Sequence, residues 1–217
     1  MPIRRPIEIP EKQIGLALPL PITGRLDGLL EIATEAGEKT SRKELTAALI
    51  EDAPTEPAAL ANLVRTYRLA PMRDAIIDGQ PPSWYTEPIR QPGPRQLDPR
   101  DRDDDMHARE VLAAKRLRHF DRVRVGVSLP RVLDDKLDKL VGILEDLAEN
   151  TARAEVVAAL ILAAPSDPPS LARIIAAHRA ATSMRRRRQA AARRRIERAA
   201  DRLREARGTP PGADADA

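Results

Sequence analysis

Residues 14–68 read IGLALPLPITGRLDGLLEIATEAGEKTSRKELTAALIEDAPTEPAALANLVRTYR, and residues 125–179 read VGVSLPRVLDDKLDKLVGILEDLAENTARAEVVAALILAAPSDPPSLARIIAAHR. The two stretches align without a gap at a spacing of 111 positions, and 21 of the 55 pairs are identical. Gly15/Gly126, Pro19/Pro130, Leu26/Leu137, Asp27/Asp138, Glu44/Glu155, Ala48/Ala159 and Pro54/Pro165 are among the identities. One ungapped diagonal of that length is not expected by chance, so the sequence predicts one structural unit present twice.

Each copy opens on period-two alternation, Ile14, Leu16, Leu18 and Val123, Val125, Val127, Leu129. Such alternation predicts a short strand with one buried face, ended by Pro19 and Pro130, which cannot donate to a ladder. The period then lengthens. Leu133, Leu137, Leu140, Leu144 and Leu147 recur at helical steps, matched by Ile22, Leu26, Leu29, Ala33 and Ala36, which predicts an amphipathic helix. A second helix follows a polar break, with Thr40 and Thr151 as expected N-caps and Ser41 with Glu44 fitting a capping box. Pro54 and Pro165 stop it, and a third helix starts near Pro57 and Pro168.

The predicted organisation is a first unit over 1–78, a Pro- and Asp-rich linker with a short helix over 79–120, a second unit over 121–183, and an Arg-rich helical arm with a disordered tail over 184–217. Residues 79–105 read as irregular and the short helix spans about 106–119. A flexible linker of that length has an r.m.s. span of roughly 30 Å.

Composition narrows the function classes. The four aromatics are Tyr67, Trp84, Tyr85 and Phe120, so the core must be aliphatic and suits small helical packing. The absence of cysteine excludes disulfides and thiolate metal sites. No long apolar run and no signal-like start are present, which predicts a soluble, cytoplasmic protein with no membrane association. His107, His119 and His178 share no metal-ligand spacing, and no Walker loop, nucleophile elbow or Gly-rich dinucleotide turn occurs. The expectation is no enzyme, no metal and no cofactor. Arginine outnumbers lysine 31 to 6, a bias pointing towards a GC-rich bacterial genome. Charge is uneven: residues 184–207 carry eleven Arg against three acids, a net of +8, whereas residues 1–183 carry 26 basic and 28 acidic side chains, a net of −2. A basic segment of this kind is the usual form of a nucleic-acid-binding arm, here Arg185, Arg186, Arg187, Arg188, Arg193, Arg194 and Arg195. The helical spacing of Ala192, Ile196, Ala199 and Leu203 leaves a protein-docking face as the alternative.

Strand, turn, amphipathic helix and capped second helix, in this order and size, resemble the ribbon-helix-helix (Arc/MetJ/CopG-like) DNA-binding superfamily. The resemblance rests on V-x-V-S-L-P, then L-x-x-x-L-x-x-L, then S/A-R-x-E-L/V-x-x-A-L-I, and covers about 12–53 and 123–164. It implies a mainly α fold with short β-strands: tandem units, each with an added third helix, pairing into a pseudo-symmetric module. In that family two strands pair antiparallel and the ribbon enters the major groove of DNA. Pairing within one chain and pairing between the chains of a homodimer both remain open.

Carried onto this sequence, the resemblance makes Gln13, Gly15, Ala17, Arg124, Gly126 and Ser128 the base-facing strand residues. Arg124 would bond guanine O6 and N7, and Gln13 would read adenine. Gly15, Gly126 and Ala17 depart from the family's usual polar positions, so base readout is expected to be sparse and unequal between halves. A phosphate would be held at the start of the second helix, at Thr40, Ser41 and Arg42 and at Thr151, Ala152 and Arg153. For Arg42 and Arg153 an ion pair with Glu44, Glu155 or another neighbour is the competing expectation. The function implied is a sequence-specific double-stranded DNA-binding protein, foremost a transcriptional repressor associated with the nucleoid or a plasmid. An accessory protein of plasmid partition or conjugation is the alternative, and a non-DNA-binding assembly protein is the alternative of another class.

Overall fold

The computed structural model describes residues 11–77 and 109–208, with side chains in the last helix described as far as Leu203. The expected irregular linker 79–105, the start of its helix at 106, and the expected disordered tail lie outside the described residues. The chain falls into two compact units, Pro10–His178 and Met1–Ile9 with Arg179–Ala217.

The first of these is mainly helical around one two-stranded antiparallel sheet. Strand β1 (Glu11–Pro19) leads directly into α1 (Leu20–Glu35), followed by α2 (Arg42–Asp52) and α3 (Pro57–Leu69). Strand β2 (Arg122–Pro130) leads into α4 (Arg131–Asp146), α5 (Arg153–Ala163) and the start of α6 (Pro168–Gly208), whose residues from Arg179 on belong to the second unit. Both strands, α4 and α5 begin and end 111 residues after their counterparts, and α6 begins 111 after α3. The strands start earlier than the alternation suggests, because ladder pairing extends over polar residues at their outer ends.

β1 and β2 pair with each other within the chain, Glu11 opposite Pro130 through to Pro19 opposite Arg122. A two-stranded ribbon is marginal alone and needs an apolar layer beneath it. Ile14, Leu16 and Leu18 with Val125, Val127 and Leu129 supply that face. Beneath them Ile22, Leu26, Leu29, Leu45, Ile50, Leu133 and Leu137 are almost completely buried. α5 packs against α1, α2 and α3, and α4 against α2 and α3. Val123 corrects the sequence expectation of burial: it is 41% exposed, because the apolar layer covers β2 only from Val125 onward.

Two basic side chains join the halves crosswise. Arg25 of α1, almost fully buried, donates from Nε to the Ile161 carbonyl and from Nη2 to the Ala164 carbonyl, each at 3.0 Å. Lys136 of α4, the residue aligned with Arg25, donates to the Glu51 carbonyl at 2.6 Å and the Ala53 carbonyl at 3.4 Å. Each thus satisfies orphan carbonyls at the end of the other half's second helix. Burial pulls the Arg25 guanidinium below its ordinary value, partly offset by Asp74.

α1 ends on Gly37 at φ +82°, whose left-handed conformation lets the Glu38 amide reach the Ala33 carbonyl at 2.8 Å. Ala148 occupies the aligned position after α4 at φ +58°, where a Cβ makes the same turn costly. The segments flanking the linker are pinned together. Pro71 bridges Arg116, the Met72 amide donates to the Lys115 carbonyl, and the Leu117 amide donates to the Ala70 carbonyl. The expected helix of about 106–119 is helical over 109–114 and then a separate 3-10 turn at Leu117–His119.

In the second unit α6 runs unbroken through 183/184, where the charge shift suggested a boundary. Alanine and arginine are both strong helix formers, so composition changes there without interrupting the helix.

Candidate nucleic-acid interface

The face of the ribbon turned away from the helices carries three opposed pairs, Gln13 with Ser128, Gly15 with Gly126, and Ala17 with Arg124. Gln13, Gly15, Ala17, Arg124 and Gly126 are exposed and Ser128 is half-buried. All six base-facing candidates therefore lie on one surface. The register sets Gly15 opposite Gly126, residues 111 apart, so a local two-fold axis passes between them. Gln13 and Arg124 are then equivalent positions, as are Ala17 and Ser128.

Side chains fill the space the glycines leave. Arg124 lies across Gly15 so closely that a Cβ there would sit 2.7 Å from its Nε. On the other side a Cβ at Gly126 would meet the Gln13 amide nitrogen at an ordinary 3.7 Å. The Arg124 guanidinium has no hydrogen bond or ion pair among the described residues. At the ribbon's outer end Lys12 donates to Asp134 at 2.8 Å and Lys43 pairs with Glu11.

The starts of α2 and α5 are occupied unequally. Ser41 is the N-cap of α2 and accepts from the Glu44 amide at 3.2 Å, while the Thr40 hydroxyl donates to the Glu44 carboxylate at 3.1 Å. Of the two expectations for this helix start, Ser41 capping the Glu44 amide holds and the Thr40 cap does not, because the Ser41 hydroxyl reaches the third amide while that of Thr40 bonds the Glu44 side chain. At α5 Ala152 takes the N-cap position and supplies no side-chain bond. Thr151 is buried instead of capping: its hydroxyl donates to the Glu149 carbonyl at 3.0 Å and accepts from Arg68 of α3 at 3.0 Å. Arg68 also donates to the Asn150 carbonyl at 2.7 Å and holds Glu149 and Glu155.

Both candidate phosphate arginines are tied down by aspartates of the preceding helix. Arg42 makes a two-pronged pair with Asp27 at 2.6 and 2.7 Å. Arg153 donates to Asp134 at 2.7 Å and also holds Asp138, the residue aligned with Asp27. The Asp27 hydrogen bond raises the Arg42 guanidinium and the Asp138 hydrogen bond raises that of Arg153. The Lys12 hydrogen bond, with Arg153, holds the Asp134 carboxyl below its usual range. The competing expectation, an ion pair with Glu44, Glu155 or another neighbour, is met by neighbours on the preceding helix, Asp27 for Arg42 and Asp134 and Asp138 for Arg153. The identity of Asp27 and Asp138 between the copies is the signal that would have named the right partner.

In the second unit Arg186, Arg187, Arg188, Arg193, Arg194 and Arg195 are exposed and Arg185 is half-buried. Arg193 pairs with Glu197 one turn on, at 3.2 Å. Ile196 and Leu203, on the alternative docking stripe, are exposed as well.

His178 bonds Glu51 at 2.6 Å, His119 accepts from Arg118, and His107 lies outside the described residues. Among the described residues no cluster of three or more His, Cys, Asp or Glu could hold a metal, and no helix is long and apolar enough to cross a membrane. Comparison of the chain with protein-family models, curated proteins and solved structures gave no match.

Proposed function

We propose that this chain is a sequence-specific double-stranded DNA-binding protein, built as two ribbon-helix-helix units paired within one chain. The observation that carries the reading is the outward face of the β1–β2 ribbon, where Gln13, Arg124 and Ser128 surround the opposed pair Gly15 and Gly126. The major groove admits a two-stranded ribbon. Arg124 has the fork of donors that guanine O6 and N7 accept, and Gln13 the donor and acceptor that adenine matches. The Arg-rich length of α6 adds affinity that is sequence-independent and salt-dependent. The biological role that follows is repression by occupying an operator, in the nucleoid or on a plasmid. Arg124→Ala tests the reading: it weakens binding to a cognate duplex by about 1–3 kcal/mol and to random duplex far less. Equal losses on both would move Arg124 to the phosphate backbone.

One observation favours a second reading, an assembly protein whose ribbon does not touch DNA. Arg42 and Arg153 already hold carboxylates, and a phosphate would have to displace or bridge them. The start of α2, with exposed Ser41 and Arg42, is the more open of the two. No binding to any duplex at low salt would favour that second reading.

A further inference from the structure

We infer that Gly15 is a specificity-determining position: by lacking a side chain it lets Arg124 lie inward across the ribbon, so that Arg124 reads a guanine beside the centre of the DNA site. This inference rests on the DNA-binding reading above and deepens it.

Arg124 stands opposite Ala17, two residues from the local axis, and could extend either outward or inward. It lies inward. Its Nε, Cζ and Nη2 would all fall within 3.3 Å of a Cβ at Gly15, a volume no other residue type leaves free. Gln13 leans inward too, its amide over Gly126. The backbones of Gln13 and Arg124 are four residues apart along the ribbon, about 13 Å. Their polar heads instead lie over directly opposed residues, whose Cα atoms are about 4.5–5.5 Å apart. With a base-pair rise of about 3.4 Å, heads so placed meet base pairs no more than about two steps apart. Outward-leaning side chains would meet pairs about four steps apart.

The two glycines are not equivalent in this respect. A methyl group at Gly15 collides with the planar guanidinium, whereas at Gly126 it makes ordinary contact with a flexible amide. Gly15→Ala therefore displaces Arg124 from its inward position, while a methyl group at Gly126 forces no such shift of either reader. Either alanine suits a strand better than glycine, so loss of folding is not the expected outcome, and thermal unfolding of each variant checks it.

The test is selection of duplexes from a random pool by the full chain, followed by affinity measurements with each central base pair substituted in turn. For the wild type, a guanine and an adenine are required within two steps of each other. Gly15→Ala loses about tenfold or more of the guanine preference, the discrimination one bidentate arginine–guanine pair supplies. Gly126→Ala loses less of it. Arg124→Gln changes that preference from guanine to adenine and makes the selected site more nearly palindromic. A Gly15→Ala protein that folds and keeps its guanine preference within twofold overturns the role of Gly15 alone. So does equal loss in Gly126→Ala, or required bases four steps apart. Failure of the wild-type chain to select any duplex overturns the DNA-binding reading itself, and this inference with it.

Discussion

Replacing Arg25 by methionine removes a guanidinium that is 8% exposed and holds the end of α5 from α1. Methionine keeps most of the aliphatic stem, so the loss is concentrated in two hydrogen bonds of 3.0 Å and a weaker one to Ser166 at 3.3 Å. Bonds from a charged donor contribute about 1.5–3 kcal/mol each. Part of that is returned because the variant no longer buries a charge, and a net destabilisation of about 3 kcal/mol follows. Lys136→Met is expected to cost about 1 kcal/mol, since Lys136 is half-buried and one of its two carbonyl bonds is long at 3.4 Å. Urea unfolding followed by circular dichroism measures both. With a slope of about 2 kcal/mol/M the Arg25→Met midpoint falls by roughly 1.5 M, and that of Lys136→Met by roughly 0.5 M. An Arg25→Met midpoint within about 0.3 M of the wild type would refute the claim that this side chain locks the halves together. Equal costs for the two variants would instead refute the ranking drawn from their burial and bond lengths.

Ala148→Gly relieves a left-handed alanine at φ +58° and should raise stability by about 1 kcal/mol in the same titration; no gain would mean that the turn carries no strain. Asp134, nearly buried between Lys12 and Arg153, has its carboxyl lowered first by the Lys12 hydrogen bond. Because the folded value lies below the unfolded one, its contribution is present above about pH 4 and is lost as pH falls through the folded value. Asp134→Asn should therefore be less stable at neutral pH and show a shallower decline below about pH 4, and parallel acid limbs would contradict this. Gln13→Cys with Ser128→Cys places two thiols opposite each other in a chain that has no cysteine. Oxidation should close an intrachain disulfide seen as faster migration on a non-reducing gel, whereas disulfide-linked dimers would show that the strands pair between chains. Deleting 185–207 should reduce the slope of log affinity against log salt on every duplex; an unchanged slope would separate the arm from nucleic acid.

Much of the helical order was legible because copies 111 residues apart reinforce each other's periodicity. Pro19, Pro54, Pro57 and their partners mark ends that the backbone respects. Alternation identified the outward faces of both strands, but it could not say where the apolar layer stops, and Val123 was misplaced for that reason. Register is a tertiary property: opposing Ile14 to Val125 or Leu16 to Val127 would also set equivalent residues together, and only the fold selects Gly15 with Gly126. Arg25 and Lys136 were invisible as structural residues. A basic side chain beside an apolar stripe reads as solvated, and only the fold brings α2 and α5 carbonyls to it. Asp27 and Asp138 are visible as identities, but nothing local assigns them a role, since their partners Arg42 and Arg153 lie fifteen residues on, across a turn. Thr151 looked like a cap because nothing local announces Arg68, 83 residues earlier in the chain.

The proposed DNA recognition depends on one chain folding its two strands into one ribbon. Selection of duplexes from a random pool, with the mass of the particle measured free and bound, addresses it most directly. The expected result is a single chain on a single site, pseudo-palindromic with unequal halves around its centre. No enrichment of any duplex at low salt would contradict it, as would two chains on a perfect palindrome.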